Sequence, residues 1–261
     1  MTIPRVIHQV YLSGEPPGPL SANVAGIKAA NPGWSHRLYD EEAALHFTKQ
    51  HYGAEVLRLY RRISPKYRAA KADLLRHLII YQEGGVYLDI KSYAKHPLDE
   101  IVRQDDEYLL SQWTDNGPGQ ERAGYGLHPD LRHMKGGEYQ MFHVIARPGH
   151  PFTDAAIKRI LHNIKHYKPW HSVGRTGVLR TTGPIAYTLA IEPIRERHPH
   201  RIIDYKAAGL VPSIEYDHFA VFPDHYSHHL TPVVTLSEPG RFASAVYHRL
   251  RMRGRKLLGM G

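Results

Sequence analysis

The sequence predicts one α/β domain, a mixed or parallel sheet flanked by helices, and three observations lead there. Strand-like and helix-like stretches alternate almost end to end, a pattern that favours a sheet with helices packed on it. The chain has 261 residues, enough for a single domain with a substantial core. Three Trp, seventeen Tyr and six Phe, with apolar content near the globular average, belong to a folded protein. Residues 1–240 are read as the domain and 241–261 as a basic C-terminal tail.

"PRVIHQVYL" (4–12) reads as a first buried strand, closed by the Gly/Pro-rich "SGEPPGP". A helix is expected near 20–30, and "NPGW" turns the chain into a second strand, "SHRLYD". Residues 41–62 carry helical spacing, with Gly53 as a candidate break. "SPKYRAAKADLLRHLIIYQEGG" is the best-marked helix, with Ser64 as N-cap, Pro65 at the first helical position and Gly84 as the C-terminal cap. Its stripe is Ala70, Leu74, Leu75, Leu78 and Ile79. "VYLDI" then alternates as a short strand.

Further on, 107–113 and 138–146 read as strands, separated by a Gly-, His- and charge-rich loop at 114–137. Loops of that length are uncommon unless functional. Amphipathic helices are expected over 152–167 and 183–198, and late strands over 201–205 and 216–224.

Composition excludes several chemistries. The chain has no cysteine, which removes disulfides, zinc–thiolate sites and thiol nucleophiles. The N-terminus lacks the charged-then-apolar pattern of a signal peptide, and no run approaches a membrane span, so a cytoplasmic enzyme is expected. A formal charge of +9 favours anionic partners. Five Arg or Lys fall within 249–256, either as a solvated tail or as an attraction to anionic lipid at the inner face of the membrane. No RNP-like aromatic pattern, Cys/His finger or helix-turn-helix signature accompanies the charge, so nucleic acid is not the expected partner. No HExxH or comparable histidine cluster supports a metallohydrolase, although the chain has twenty His.

The candidate chemistry gathers around "EGGVYLDIKSY" (83–93). Asp89 closes an apolar strand, and ligands of open α/β sheets bind outside the carboxyl ends of the strands. By itself an Asp there is as readily the start of a turn. The helix before it adds Asp73 and Arg76, three apart and therefore on one helical face, with His77 beside them. They flank Leu74–Leu75 at the edge of the buried stripe. A carboxylate and a guanidinium near Asp89 suit a polyhydroxylated ligand, the first accepting from hydroxyls and the second donating to oxygen.

"IPRVIHQVYLSGEPP", "NPGWSHRLYD", "YRAAKADLLRHLIIYQEGGVYLDIKS" and "TTGP" together resemble glycosyltransferase family 32, which includes yeast-type initiating mannosyltransferases and many bacterial capsule or lipopolysaccharide enzymes. The resemblance is strong over about 3–100, weaker through 146–152 and 181–190, and fades after about 200. It implies a GT-A fold, similar to that of sugar-transferring toxins that retain anomeric configuration. It further implies transfer of a hexose from a UDP- or GDP-hexose to a saccharide or lipid-linked acceptor, in cell-surface polysaccharide synthesis.

Carried over by position, the resemblance sets the first strand, with His8, Gln9 and Tyr11, against the nucleotide. Asp73 and Arg76 would hold donor-sugar hydroxyls, Tyr87 and Asp89 would lie near the diphosphate and ribose, and Thr182 and Gly183 would face the site. The family's Asp-x-Asp holds a divalent cation, Mn²⁺ or Mg²⁺, but Lys91 stands at the second acid here. Lys91 either pairs with the diphosphate directly or points into solvent. Asp89 and a late His, His228 or His229, are the metal candidates, without the Ser-Trp that follows that His in the family. The same departure keeps a second reading open, a degenerate protein that binds donor without turnover. Trp113, Tyr139 and Trp170 are aromatic candidates for stacking on an acceptor sugar.

Overall fold

β1 (Val6–Val10) is buried along its whole length and lies one strand in from an edge of the sheet. The computed structural model describes residues 2–214 and 229–257, the last four of these by backbone alone. After β1 come α1 (Gly18–Ala30), β2 (Ser35–Tyr39), α2 (Glu41–Arg62), α3 (Arg68–Glu83) and β3 (Gly85–Leu88). β4 (Tyr93–Ala94), α4 (Leu98–Ile101), β5 (Tyr108–Leu110) and β6 (His143–Ala146) follow. The chain then forms α5 (Pro151–Lys165), α6 (Gly174–Thr181), α7 (Pro184–Ile191), β7 (Arg201–Ile202), β8 (Leu210–Val211) and α8 (Glu238–Leu257).

Six strands pair in the order β2-β1-β3-β6-β5-β7, while β4 and β8 form a separate pair. β1 runs parallel to both β2 and β3, β5 runs parallel to β7, and β6 is antiparallel to its two neighbours. The chain leaves β1 for β2 on one side and returns to β3 on the other, so the strand order reverses at β1. Such a reversal opens a crevice at the carboxyl ends of the strands.

Strand alternation divides the interior into two cores. Tyr87 and Val144 point to the face covered by α2, α3, α5 and α7, where they join Leu74, Leu75 and Leu78. Ile7, Val86, Leu88 and Ile145 point to the other face and meet Ile27, Trp34, Leu98 and Ile203. No helix among the described residues is long and apolar enough to cross a membrane.

Several boundaries move from their expected places, each for a local reason. Gly53 does break α2, at φ 74°. Ser64 and Pro65 lie in a turn that returns from Tyr67 N–H to the Ser64 carbonyl, so α3 starts only at Arg68, with Tyr67 as its N-cap. The helix expected over 183–198 ends at Ile191, and 192–197 tighten into a 3-10 helix containing Pro193, which has no N–H to donate. The strand expected over 138–146 is regular only from His143, because 138–142 turn aside to serve other partners. The candidate strand 216–224 lies outside the described residues. α6 and α8 are additional helices, and the 240/241 boundary of the expected tail falls inside α8.

The Gly84–Gly85 junction governs how the chain passes from α3 into β3. Gly84 has φ 66° and ends α3, and Gly85 has φ 99°, both in the left-handed region that favours glycine. A Cβ at Gly85 would lie 2.5 Å from the Val6 carbonyl oxygen, so β1 and β3 approach closely here only without side chains.

Candidate active site

β3 ends at Leu88, and Asp89 is the first residue beyond it, at the head of a turn closed by Ser92 N–H on its carbonyl (2.7 Å). A backbone bond from Asp89 N–H to the Phe142 carbonyl (2.8 Å) extends the ladder by that one residue. Because residues two apart in a strand share a face, Tyr87 and Asp89 both turn toward α3. From α3, Asp73 and Arg76 reach down to meet them.

Arg76 is the hub. Its Nη2 lies 2.9 Å from Asp73 Oδ1 and 3.1 Å from Asp89 Oδ1, and its Nη1 donates to the Met141 carbonyl. The guanidinium sits over the Tyr87 ring, 4.6 Å from its centroid, an arrangement of cation over π-face. Tyr87 donates its hydroxyl to the same Asp89 Oδ1 at 3.0 Å. Thr182, the C-cap of α6, donates to Asp73 Oδ2 at 2.9 Å. Five side chains from two helices and one strand end thus form a single hydrogen-bonded cluster.

Burial grades across it. Arg76 and Asp73 side chains are 6% and 10% exposed, while that of Asp89 is 25% exposed and opens to the crevice. Burial raises the Asp73 carboxyl to about 6, against the opposing pull of Arg76 and the Thr182 hydroxyl. The Tyr87 phenol is pushed well above its ordinary value, again chiefly by burial.

Lys91 is half-buried rather than solvated, and β3 has ended before it. Burial holds its ammonium below the usual lysine range, with Asp89 pulling the other way and Arg76 adding to the depression. The turn therefore brings Lys91 back into the electrostatic field of Asp89 and Arg76. Its own carbonyl accepts from Ile214 N–H at 2.8 Å.

The β1 candidates separate. Gln9 supports the site from behind: its amide donates to the Asp89 carbonyl at 3.4 Å, and its Oε1 accepts from His36 Nε2 at 2.9 Å. Tyr11 follows the carboxyl end of β1 and pairs its N–H with the Tyr39 carbonyl. His8 faces elsewhere. Its Nε2 donates to the Gly84 carbonyl (3.0 Å) and its Nδ1 accepts from the Tyr39 hydroxyl (3.2 Å), at the opposite end of β3 from Asp89. With both ring nitrogens committed and burial holding its pKa near 3, His8 is a neutral tie between elements.

Gly183 is a packing residue too, since a Cβ there would lie 2.9 Å from Leu179 Cα. His228 lies outside the described residues. His229 packs edge-on against Tyr67 at the head of α3, with ring centroids 5.6 Å apart.

Among the described residues the donor set does not by itself fit a divalent cation. Asp89 Oδ1 already takes the Tyr87 hydroxyl and the Arg76 guanidinium, Asp73 is enclosed behind it, and Lys91 brings a positive charge. Among the described residues no group of three or more Asp, Glu or His converges as ligands. One carboxylate beside an ammonium is a poor substitute for the oxygen shell that Mg²⁺ or Mn²⁺ prefers.

Sequence reasoning missed the supporting layer. Ser111 donates to Gln140 Oε1 and accepts from His143 Nε2 at 2.7 Å, bracing the segment that supplies the Met141 and Phe142 carbonyls. Only the polar character of residues 138, 140 and 143 within an otherwise apolar run signals it. Tyr139 is fully buried, its hydroxyl on Glu192, and Trp113 donates to Glu138 at 2.9 Å, so both serve packing. Trp170 alone of the three is exposed, at 56%.

Residues 20–108 match a family model described as a glycosyltransferase sugar-binding region containing a DXD motif. Inositol phosphoceramide mannosyltransferase 1 of Schizosaccharomyces pombe is 26% identical over 223 residues, covering 83% of this chain and 60% of that protein. Mannosyl phosphorylinositol ceramide synthase CSH1 of Saccharomyces cerevisiae is 23% identical over 72% of this chain and 49% of its own length. The chain thus spans about half to three fifths of the length of these curated relatives. In structure it is similar to the ligand-free glycosyltransferase domain of the YGT toxin, with a TM-score of 0.54 at 8% identity, over 78% of this chain and 80% of that one. The PaToxG glycosyltransferase superposes with a TM-score of 0.50 at 12% identity, over 95% and 86% of the two chains.

Proposed function

Taking the chain as a glycosyltransferase-32-like sequence on a GT-A fold, we propose that it transfers a hexose from a nucleoside diphosphate sugar to a hydroxyl of a saccharide or lipid-linked acceptor. The observation that carries this is the joined cluster of Asp73, Arg76, Tyr87, Asp89 and Thr182 at the crevice where the strand order reverses. The mannosyl transfer in the names of the yeast relatives favours a hexose donor, and their inositol phosphoceramides favour an acceptor with a polyol headgroup.

In the reaction the bond between the anomeric carbon and the β-phosphate oxygen breaks, its electron pair leaving with the diphosphate. The acceptor oxygen bonds to the anomeric carbon, and its proton passes to the departing phosphate. Attack from the face that bears the leaving group retains configuration, in keeping with the absence of a second carboxylate placed as a nucleophile among the cluster residues. The charge that builds on the diphosphate is what the site must chiefly stabilise.

Here Lys91 supplies that stabilisation, because its ammonium can pair with phosphate oxygens at the mouth of the site. Asp89 accepts hydroxyls of the donor, and Asp73 sets the Arg76 guanidinium. Arg76 and Lys91 balance the two carboxylates, so the incoming diphosphate meets a site without net negative charge.

Calorimetry with UDP- and GDP-hexoses tests the reading, followed by product analysis by NMR. Binding and turnover are expected, with strong loss in Asp73→Ala and Asp89→Ala. Turnover that survives both substitutions would misplace the site. Donor binding without turnover on any acceptor would favour a binding protein, and an inverted product anomer would sink the retaining geometry.

A further inference from the structure

α8 is packed the wrong way round for a helix serving only its own domain. Along it, Ser244 is buried and Gly240 and His248 are half-buried, a stripe spaced by four residues that leans on the protein body. The His248 ring donates to the His171 carbonyl at 3.1 Å. Two residues further round, Phe242, Val246 and Leu250 form a second stripe with the same spacing. At 3.6 residues per turn an offset of two residues is about 200°, so this stripe faces away from the protein. The three are 74%, 40% and 61% exposed, and Tyr247 beside them is 41% exposed. The polar stripe is inside and the apolar stripe is outside, the reverse of a surface helix that contributes to a core.

Charge indicates what covers the apolar stripe. By the same geometry Arg249 flanks the stripe about 60° from Val246, Arg253 falls within it at about 20°, and Arg251 lies about 140° round, all exposed, in a chain of formal charge +9. A second copy of α8 would bring these arginines against their own like, an unfavourable contact. An anionic bilayer instead accepts the apolar side chains below its headgroups and pairs the arginines with lipid phosphates. Trp170, 56% exposed, immediately precedes the residue to which His248 is bonded, and an indole suits the membrane–water interface.

We propose that α8 is an interfacial helix that lays the protein on an anionic lipid surface, with Phe242, Val246 and Leu250 in the acyl boundary and the arginines at the phosphates. The inference stands on α8 alone and not on the transferase reading.

Co-sedimentation of the full chain with vesicles of phosphatidylcholine and phosphatidylglycerol, against phosphatidylcholine alone, tests it. Binding is expected to the anionic vesicles only and to weaken with added salt. The double variant Phe242→Ser/Leu250→Ser should lose about tenfold or more in vesicle affinity, since it removes two inserted apolar side chains. The triple variant Arg249→Gln/Arg251→Gln/Arg253→Gln should lose the preference for anionic lipid. Both should keep the wild-type circular dichroism, melting temperature and donor binding, because every altered side chain is exposed. Equal vesicle binding by wild type and the double variant would overturn the proposal, as would failure of the wild type to bind. So would a wild-type dimer that Phe242→Ser/Leu250→Ser makes monomeric with no lipid dependence.

Discussion

Thr182 donates its hydroxyl to Asp73 Oδ2 at 2.9 Å, joining residues 109 apart in sequence. The bond ties the C-terminus of α6 to the second turn of α3 and gives a buried carboxylate an uncharged partner beside Arg76. It also gives "TTGP" a physical role, because Thr182 orients the acid that in turn orients Arg76.

Replacing Thr182 with Val keeps the shape and removes that donor. Hydrogen bonds to charged groups contribute about 1.5–3 kcal/mol, so the variant should lose roughly that much stability and bind donor more weakly. Thr182→Ser should restore both. Denaturant unfolding and calorimetry on the three proteins read the outcome; an unchanged Val variant would mean the bond is incidental.

Asp73 gives the site a pH dependence whose direction is set by its raised pKa, about 6 against an ordinary 3.8. The ionised form holds Arg76, so donor affinity should rise as pH rises through about 6. For stability the sign is reversed: the shift favours the fold below pH 3.8, and that contribution is lost as pH rises through 6. Donor binding measured across this range should show the acid limb in wild type. Thr182→Val should move the limb to higher pH, since it removes a bond to the charged form.

Lys91→Asp should convert the site. The change adds a carboxylate two residues from Asp89 and removes an ammonium, recreating Asp-x-Asp. Wild-type donor binding is expected to be insensitive to EDTA, and the variant's to require Mn²⁺ or Mg²⁺. Titrations with and without chelator decide it, and EDTA-sensitive binding by wild type would count against Lys91 as the diphosphate partner.

Acid should lower stability through buried histidines that take up protons only on unfolding. His8, His77 and His143 are each held near pKa 3 by burial, against an ordinary 6.5. Their folded values are depressed, so the unfolded chain binds protons first, and stability falls as pH drops below 6.5. Each contributes about 1.4 kcal/mol per pH unit between the two values. The raised carboxyl of Asp73 opposes this and His150, held near 4 by burial, adds to it, so melting temperatures measured from pH 7 to 4 should decline. His143→Gln should shallow that slope.

Gly85→Ala should be severe. It forces φ 99° on a residue with a side chain and sets its Cβ 2.5 Å from the Val6 carbonyl. Backbone strain of this kind costs about 1–3 kcal/mol, to which the collision adds. Thermal unfolding reads it, and an unchanged melting temperature would refute the close approach of β1 and β3.

Local signals carried most of the fold. The stripe of α3, the left-handed stop at Gly84, the Gly53 break and the alternation of β3 depend on residues within a turn or two of each other, and sequence displays these directly. The same locality explains the errors. Ser64-Pro65 is a good helix start that a turn pre-empts, and 138–142 has strand character that its polar partners override. α8 was legible as charge but not as a helix, because its apolar stripe is interleaved with arginines.

By itself the sequence picked out the residues of the candidate site: an acid and an arginine one helical turn apart, then Tyr87-x-Asp89 after a Gly-Gly stop. Periods of 3.6 and 2 put each pair on one face of its own element. Tertiary structure alone decided that those two faces meet, that Thr182 completes the cluster from 109 residues away, and that His8 ties β1 to the Gly84 carbonyl. It also half-buries Lys91, since a turn rather than a strand follows Asp89 and keeps the ammonium within the electrostatic reach of that carboxylate. The reason is physical: direction within an element follows from local geometry, whereas contact between elements depends on how the sheet and its helices close around the core.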